Sequence, residues 1–136
     1  MEEYVREKIL PAALDKPTNL RLLVALEDDR LVGCAAHRPE GLMRGSGELF
    51  LAMRLQLVAV GIEDQGRKGS DGTKFSDTLV KAALADILDI GLSRVITAIA
   101  ARDNLRSIAL CERNGLRSQV EFDAAHIRLT GNFVRE

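Results

Sequence analysis

The chain is poor in the residues that build metal centres and covalent staples. Its two cysteines, Cys34 and Cys111, form no C-x-x-C pair, and its two histidines form no cluster with them. That pattern excludes a zinc-finger-type site and a disulfide scaffold, and it points to a reduced, cytoplasmic setting. No apolar run reaches the ~18 residues that a membrane-spanning helix needs. The start, MEEYVREKIL, is acidic and lacks the apolar stretch of a secretory leader, so nothing in it speaks for export. An excess of one charge is missing as well. Nineteen Lys and Arg against 20 Asp and Glu leave a net charge of −1, which does not suit a chain that coats nucleic acid or an anionic membrane. Internal repeats, low-complexity tracts and a composition break that would mark a second domain are also absent.

What is present is one domain's worth of chain, 136 residues with 46% hydrophobic and 29% charged residues, long enough to bury a core without staples. The N-terminal MEEYVREKILPAAL reads as a short amphipathic helix ended by Pro11. LRLLVALEDDRLVGCAAH then gives two short strands around the polar turn at Glu27–Arg30, a hairpin. RPEGLMRGSGELF, rich in Gly and polar groups, reads as a loop. From about Glu48 to Val60 an alternating run becomes apolar on both faces, as a central strand does. KFSDTLVKAALADILDIG carries Phe75, Leu79, Ala83, Ile87 and Ile90 at helical spacing, with Gly91 as its stop. SRVITAIAA is a strand. DNLRSIALCERNG is a second helix, capped by Asp103 or Asn104 and stopped at Asn114-Gly115. LRSQVEF and HIRLTGNFV close the chain as a strand pair.

The strand–helix–strand unit in the middle implies parallel neighbours joined by a right-handed crossover, and the flanking hairpins are antiparallel. The expected fold is α/β: a mixed, mostly antiparallel twisted sheet with a central parallel strand pair and helices on both faces.

The stretch DQGRKGSDGTKFSDTLV, from Asp64 to Val80, sets three glycines and three cationic residues before a helix. Residues alone leave three readings: a solvated surface loop, a cradle for nucleotide phosphates, or a cradle for the pyrophosphate of coenzyme A. No glycine pair has the G-x-x-x-x-G-K-[ST] spacing of a P-loop. A helix N-terminus with unpaired N–H groups is an anion site in its own right, and Gly72, Thr73 and Lys74 add close backbone approach, a hydroxyl and a cation.

Together LQLVAV, this basic loop and the following helix resemble motif A of the GNAT superfamily of acyl-CoA-dependent N-acyltransferases. ARDNLRSIALCERNGLR resembles its motif B, with Asn104, Ser107, Leu110, Cys111, Gly115 and Leu116 in the matching places. The element order from Leu20 to Phe133 fits as well, so the resemblance covers most of the chain. It implies a single GNAT-like domain over 1–136, abbreviated at the N-terminus, where such proteins open with a strand and two helices. Residue by residue it also departs from the pattern. Counted back from the helix, the loop frame falls on Asp71-Gly72-Thr73-Lys74-Phe75-Ser76, with Lys74 and Ser76 where small residues are usual. Counted forward from LVAV, the frame starts at Gln65. The counts differ by six residues, which implies an insertion carrying Arg67, Lys68 and Gly69 that reaches the phosphates from outside.

The resemblance further implies acetyl-CoA as acyl donor and a small-molecule or peptide amine as acceptor, without a metal; a homodimer is compatible with it. Backbone groups at Val58, Ala59 and Val60 would pair with pantetheine, and one N–H there would polarise the thioester carbonyl. Asn104 and Ser107 share a helix face and would bond its amides. Cys111 stands where such enzymes carry a tyrosine that protonates the departing thiolate. Glu48, Glu63 and His37 are the candidate bases. The residues leave three functions open: an N-acetyltransferase, a non-catalytic acyl-CoA-binding module, and an interaction domain without coenzyme A.

Overall fold

The computed structural model describes residues 20–60, 68 and 74–133, and residues 3–9 by their backbone; the side chains of 57, 59 and 60 are outside what is described. Among the described residues, seven strands and two helices follow one another as β1 (Glu3–Ile9), β2 (Arg21–Glu27), β3 (Arg30–Met43), β4 (Leu49–Val60), α1 (Phe75–Ile90), β5 (Val95–Ala101), α2 (Leu105–Arg113), β6 (Ser118–Glu121) and β7 (His126–Asn132). The strands form one sheet in the order β1-β2-β3-β4-β5-β7-β6. Every neighbouring pair is antiparallel except β4 with β5. This is the expected mixed, mostly antiparallel sheet with a central parallel pair.

Two local expectations are corrected. Glu3–Ile9 is a strand, not a helix, and pairs with β2 from Glu3↔Glu27 to Ile9↔Arg21. Its seven residues offered an apolar face at either period, and an open edge on β2 decides in favour of the ladder. Residues 38–43, expected as loop, continue β3, which pairs with β4 down to Met43↔Leu49. Glycine and proline weaken a strand, yet Pro39 and Gly41 are carried by a long antiparallel partner, and the loop shrinks to the turn closed by Arg44 and Glu48.

The hairpin between β2 and β3 turns on Asp28 and Asp29, with φ of 50° and 65°. Two central residues at positive φ match the twist of a hairpin, and Asp tolerates that region better than most side chains. In α1, Phe75, Leu79, Ala83 and Ile87 recur at every fourth position and all are buried. Gly91, at φ 76°, ends that helix by donating its N–H to the Ile87 carbonyl. Ile108 and Cys111 of α2 join the same apolar cluster as α1 and the core-facing residues of β2 to β5 and β7. Both described helices therefore share one core. Ile96 and Ala98 belong to that core; Thr97, between them, points to the other face of the sheet, which no described helix covers.

Candidate active site

The central feature is a parallel pair that stops early. β4 and β5 pair only over Met53–Leu55 with Ile96–Ala98. Beyond that point β4 stays on β3 as far as Val60↔Gly33, while β5 stays on β7 as far as Ala101↔His126. The register of β4 shifts where the parallel pairing ends: His37 faces Leu55, Ala36 faces Leu57, and Gln56 is the extra residue. A bulge bends its strand and sharpens its twist, so Gln56 turns β4 away from β5. The facing edges of both strands are left without ladder partners across the gap, and a backbone group without a partner is open to a ligand.

A cleft of ≈ 530 Å³ lies at this opening. Of the residues expected from sequence, it gathers Val58, Lys74, Ser76, Asn104 and Ser107. Its other lining residues, Leu105, Arg106, Ala109, Leu110 and Arg113, all belong to α2. Leu110, one helical turn beyond Ser107, lies on the face that Asn104 and Ser107 define, whereas Leu105, Arg106, Ala109 and Arg113 fall on adjoining stripes that those two positions do not announce.

Both helices present their N-termini here. Lys74 is the N-cap of α1 with extended φ and ψ of −63° and 145°, and its side chain makes no capping bond. The first intrahelical bond runs from Thr78 N to Lys74 O at 3.0 Å, so the N–H groups of the first turn carry the partial positive charge of a helix start. Lys68 forms an isolated antiparallel bridge with Lys74, and both are exposed. In α2, Asn104 is the cap, accepting from Ser107 N at 3.2 Å.

Asp77, in the first turn of α1, fixes that turn against α2. It accepts from Arg113 Nε at 3.3 Å and Nη2 at 3.0 Å, and from Asn114 Nδ2 at 3.1 Å. The Arg113 bond, set against desolvation and helped by Asn114, holds its carboxyl below the usual range. The carboxylate is therefore ionised at neutral pH and links the two walls of the cleft.

Other expected residues fall elsewhere. Glu48 sits in the turn before β4, ten residues of extended chain from Val58, or about 30 Å, so the structure separates it from the cleft. His37 is fully buried between β3 and α1, with Nε2 2.6 Å from Asp86 Oδ2. Burial pushes its pKa down, outweighing the pull of Asp86; it is a core histidine and is corrected as a base. Cys111 is buried in the core cluster and does not line the cleft, and desolvation raises its thiol pKa. Ala59 and Val60 lie on β4 opposite Cys34 and Gly33. Glu63, Arg67, Gly69, Asp71, Gly72 and Thr73 lie outside the described residues. Among the described residues, no cluster of three or more His, Cys, Asp or Glu is placed to hold a metal, and no helix is long and apolar enough to cross a membrane.

No protein family's sequence profile matches the chain, and no curated protein matches it in sequence. Its structure does match known structures. A putative GNAT-family acetyltransferase from Desulfovibrio desulfuricans superposes with a TM-score of 0.67 at 16% identity, covering 96% of this chain and 97% of that one. A GNAT-family acetyltransferase from Elizabethkingia anophelis with acetyl-CoA bound gives 0.67 at 12% identity, over 96% and 98% of the two chains. Arabidopsis thaliana NAA60, in complex with a bisubstrate analogue, gives 0.65 at 13% identity, over 95% and 98%. The fold is that of the GNAT N-acetyltransferases.

Proposed function

We propose that this protein is an acetyl-CoA-dependent N-acetyltransferase that moves an acetyl group to a primary amine by direct attack within a ternary complex. The observation that carries the reading is the interrupted β4–β5 pair, opening onto a cleft bounded by the N-termini of α1 and α2. Structures of this fold bound to acetyl-CoA and to a bisubstrate analogue support it.

In this reading the first-turn N–H groups of α1, with Lys74 and Lys68, receive the pyrophosphate. Gly72 and Thr73, immediately before the cap, let the backbone approach it, and Arg67, Gly69, Asp71 and Ser76 complete the cradle. Pantetheine is a chain of amides, and the unpaired edge of β4 from Val58 through Val60 offers it a strand to pair with. An N–H on that edge polarises the thioester carbonyl and stabilises the oxyanion as the amine attacks. Ser107 and Asn104 bond the pantetheine amides from the α2 side.

The acceptor must arrive as a free amine, because an alkylammonium is protonated at neutral pH. Glu63, three residues past the end of β4, is the base in this scheme, directly or through water. Cys111 lies in the core, away from the cleft, so solvent rather than its thiol returns the proton to the departing thiolate. A reduced cytoplasm suits two cysteines that are both free.

A second reading is favoured by one observation: the described lining of the cleft contains no carboxylate, histidine or tyrosine. A non-catalytic acyl-CoA-binding module would have that lining. Amine-dependent release of coenzyme A from acetyl-CoA, followed with a thiol reagent across an amine panel, separates the two. Release that depends on an amine supports the enzyme, and binding without release supports the module.

A further inference from the structure

The face of the sheet turned away from α1 and α2 carries a row of charge that the proposed chemistry leaves unused. Arg38 and Arg54 are direct cross-strand partners on β3 and β4, and Arg54 is level with Thr97 on β5. Arg128 follows on β7, opposite Ile99. The guanidiniums of Arg54 and Arg128 both lie over the Phe122 ring, 5.9 and 5.2 Å from its centroid. Glu40 is the carboxylate that the described residues bring to this row. It accepts from Thr97 Oγ1 at 2.7 Å and pairs with Arg54 Nε at 3.6 Å.

Among the described residues, one carboxylate does not balance three guanidiniums. Like charges directly opposite on neighbouring strands are destabilising, so the Arg38–Arg54 pair costs the fold something. The Nε atoms of Arg38 and Arg128 are moreover buried without a hydrogen-bond partner. A buried donor on a charged group is expensive to leave unsatisfied, and guanidinium forks match a carboxylate geometrically.

The row also stands in a definite relation to the proposed chemistry. Arg54 lies at the last paired stretch of β4, at the neck of the gap, and Val58 is four residues further on, about 13 Å along the strand. The cleft is lined by the helices and the arginines lie on the opposite face of the sheet, with the unpaired stretch of β4 and β5 between the two faces.

From this we infer that the Arg38–Arg54–Arg128 row binds a carboxylate carried by the acceptor, whose amine reaches through the gap toward the thioester. The inference rests on the acetyltransferase reading. It selects acceptors in which amine and carboxylate stand at opposite ends of a chain. It disfavours α-amino acids, whose two groups are only two bonds apart.

The test uses the intact protein with acetyl-CoA and three amines: ε-aminocaproate, its neutral amide, and glycine. For the wild type the expected KM for ε-aminocaproate is at least about tenfold below that for the amide, and glycine is the poorest. Arg38→Gln and Arg128→Gln should each remove most of the preference for carboxylate over amide while leaving the KM for acetyl-CoA unchanged. Arg38→Lys and Arg128→Lys, which keep the charge, should restore part of it. A merely structural role would shift the KM values of both amines together. Equal KM values for acid and amide in the wild type would overturn the inference while acetyl transfer itself stands. Calorimetry with the product analogue ε-acetamidocaproate and its amide reads the same preference without turnover. Equal affinity, or no binding of either, overturns it by that route, whereas failure of the acetyltransferase reading appears separately as absence of acetyl-CoA binding.

Discussion

Replacing Asp77 by Asn should loosen the junction that sets the width of the cleft, and the cost can be worked through from its contacts. The substitution keeps the shape and removes the charge that accepts two bonds from Arg113 and one from Asn114. Arg113 is half exposed, so its ion pair is screened by solvent and contributes at most about 1 kcal/mol. Loss of a negative charge from the first turn of α1 costs a further ~0.3–1 kcal/mol. Asn114 is not orphaned, since its Nδ2 keeps the Leu110 carbonyl at 2.8 Å. The sum is a loss of about 1.5 kcal/mol at neutral pH, together with a few-fold weaker grip on acetyl-CoA as the start of α1 shifts from α2. The sign with pH follows from the lowered folded pKa of Asp77. Its stabilisation is fully present above the unfolded value of 3.8 and is lost as pH falls through the folded one. Urea unfolding at about pH 7 and again at about pH 3 should therefore show a wild-type advantage that shrinks in acid. An advantage that stays constant with pH, or is absent at pH 7, would refute the reasoning.

Four further outcomes follow from other contacts. His37 has a folded pKa below its ordinary 6.5, so the unfolded chain takes up its proton first; stability is full above 6.5 and falls as pH drops toward the folded value. A thermal scan between about pH 7.5 and 5.5 should show that decline in the wild type and a smaller one in His37→Gln. Gly131→Ala would put a methyl 2.5 Å from the Gly115 carbonyl oxygen and 2.8 Å from the Phe133 ring, a clash with backbone that should cost about 2–3 kcal/mol in urea unfolding. Lys74→Ala and Asn104→Ala should each weaken acetyl-CoA binding about three- to tenfold by calorimetry. Asn104→Ser, which keeps a capping oxygen, should retain the helix stability that Asn104→Ala loses, about 1 kcal/mol. Cys111→Ala should leave acetyl-CoA affinity intact and change turnover at most modestly in a steady-state assay.

The parts of the fold that were legible in the sequence are those where local pattern and tertiary demand agree. The fourfold spacing from Phe75 to Ile87, the Gly91 stop and the turn within Glu27–Arg30 are realised, and of the two cap candidates, Asp103 and Asn104, the structure uses Asn104. Residues 3–9 and 38–43 carried ambiguous signals, and a neighbouring strand edge settled them. Lys74 was readable from the anion-binding character of a helix N-terminus, and Ser76, Asn104 and Ser107 from the family resemblance; one cleft gathers all four. His37 and Glu48 were misjudged for a different reason. Chain position does not reveal that a strand-borne histidine points into the core at Asp86, or that Glu48 precedes a strand 12 residues long that lines the cleft only from Val58, near its far end. The bulge at Gln56 leaves no residue-type signature, since it arises from the mismatch of β4 against β3. The arginine row was invisible for a related reason. Arg38, Arg54 and Arg128 lie far apart in sequence and meet only through sheet register.

The most direct test of the central claim is calorimetric titration of the purified protein with acetyl-CoA, repeated with a variant carrying Lys68→Ala and Lys74→Ala. Binding in the micromolar range is expected for the wild type and clearly weaker binding for the variant, because the proposed function assigns the pyrophosphate to these two lysines, which are exposed at the start of α1. No binding at millimolar acetyl-CoA would contradict it, and the opening between β4 and β5 would then be a feature of the scaffold alone.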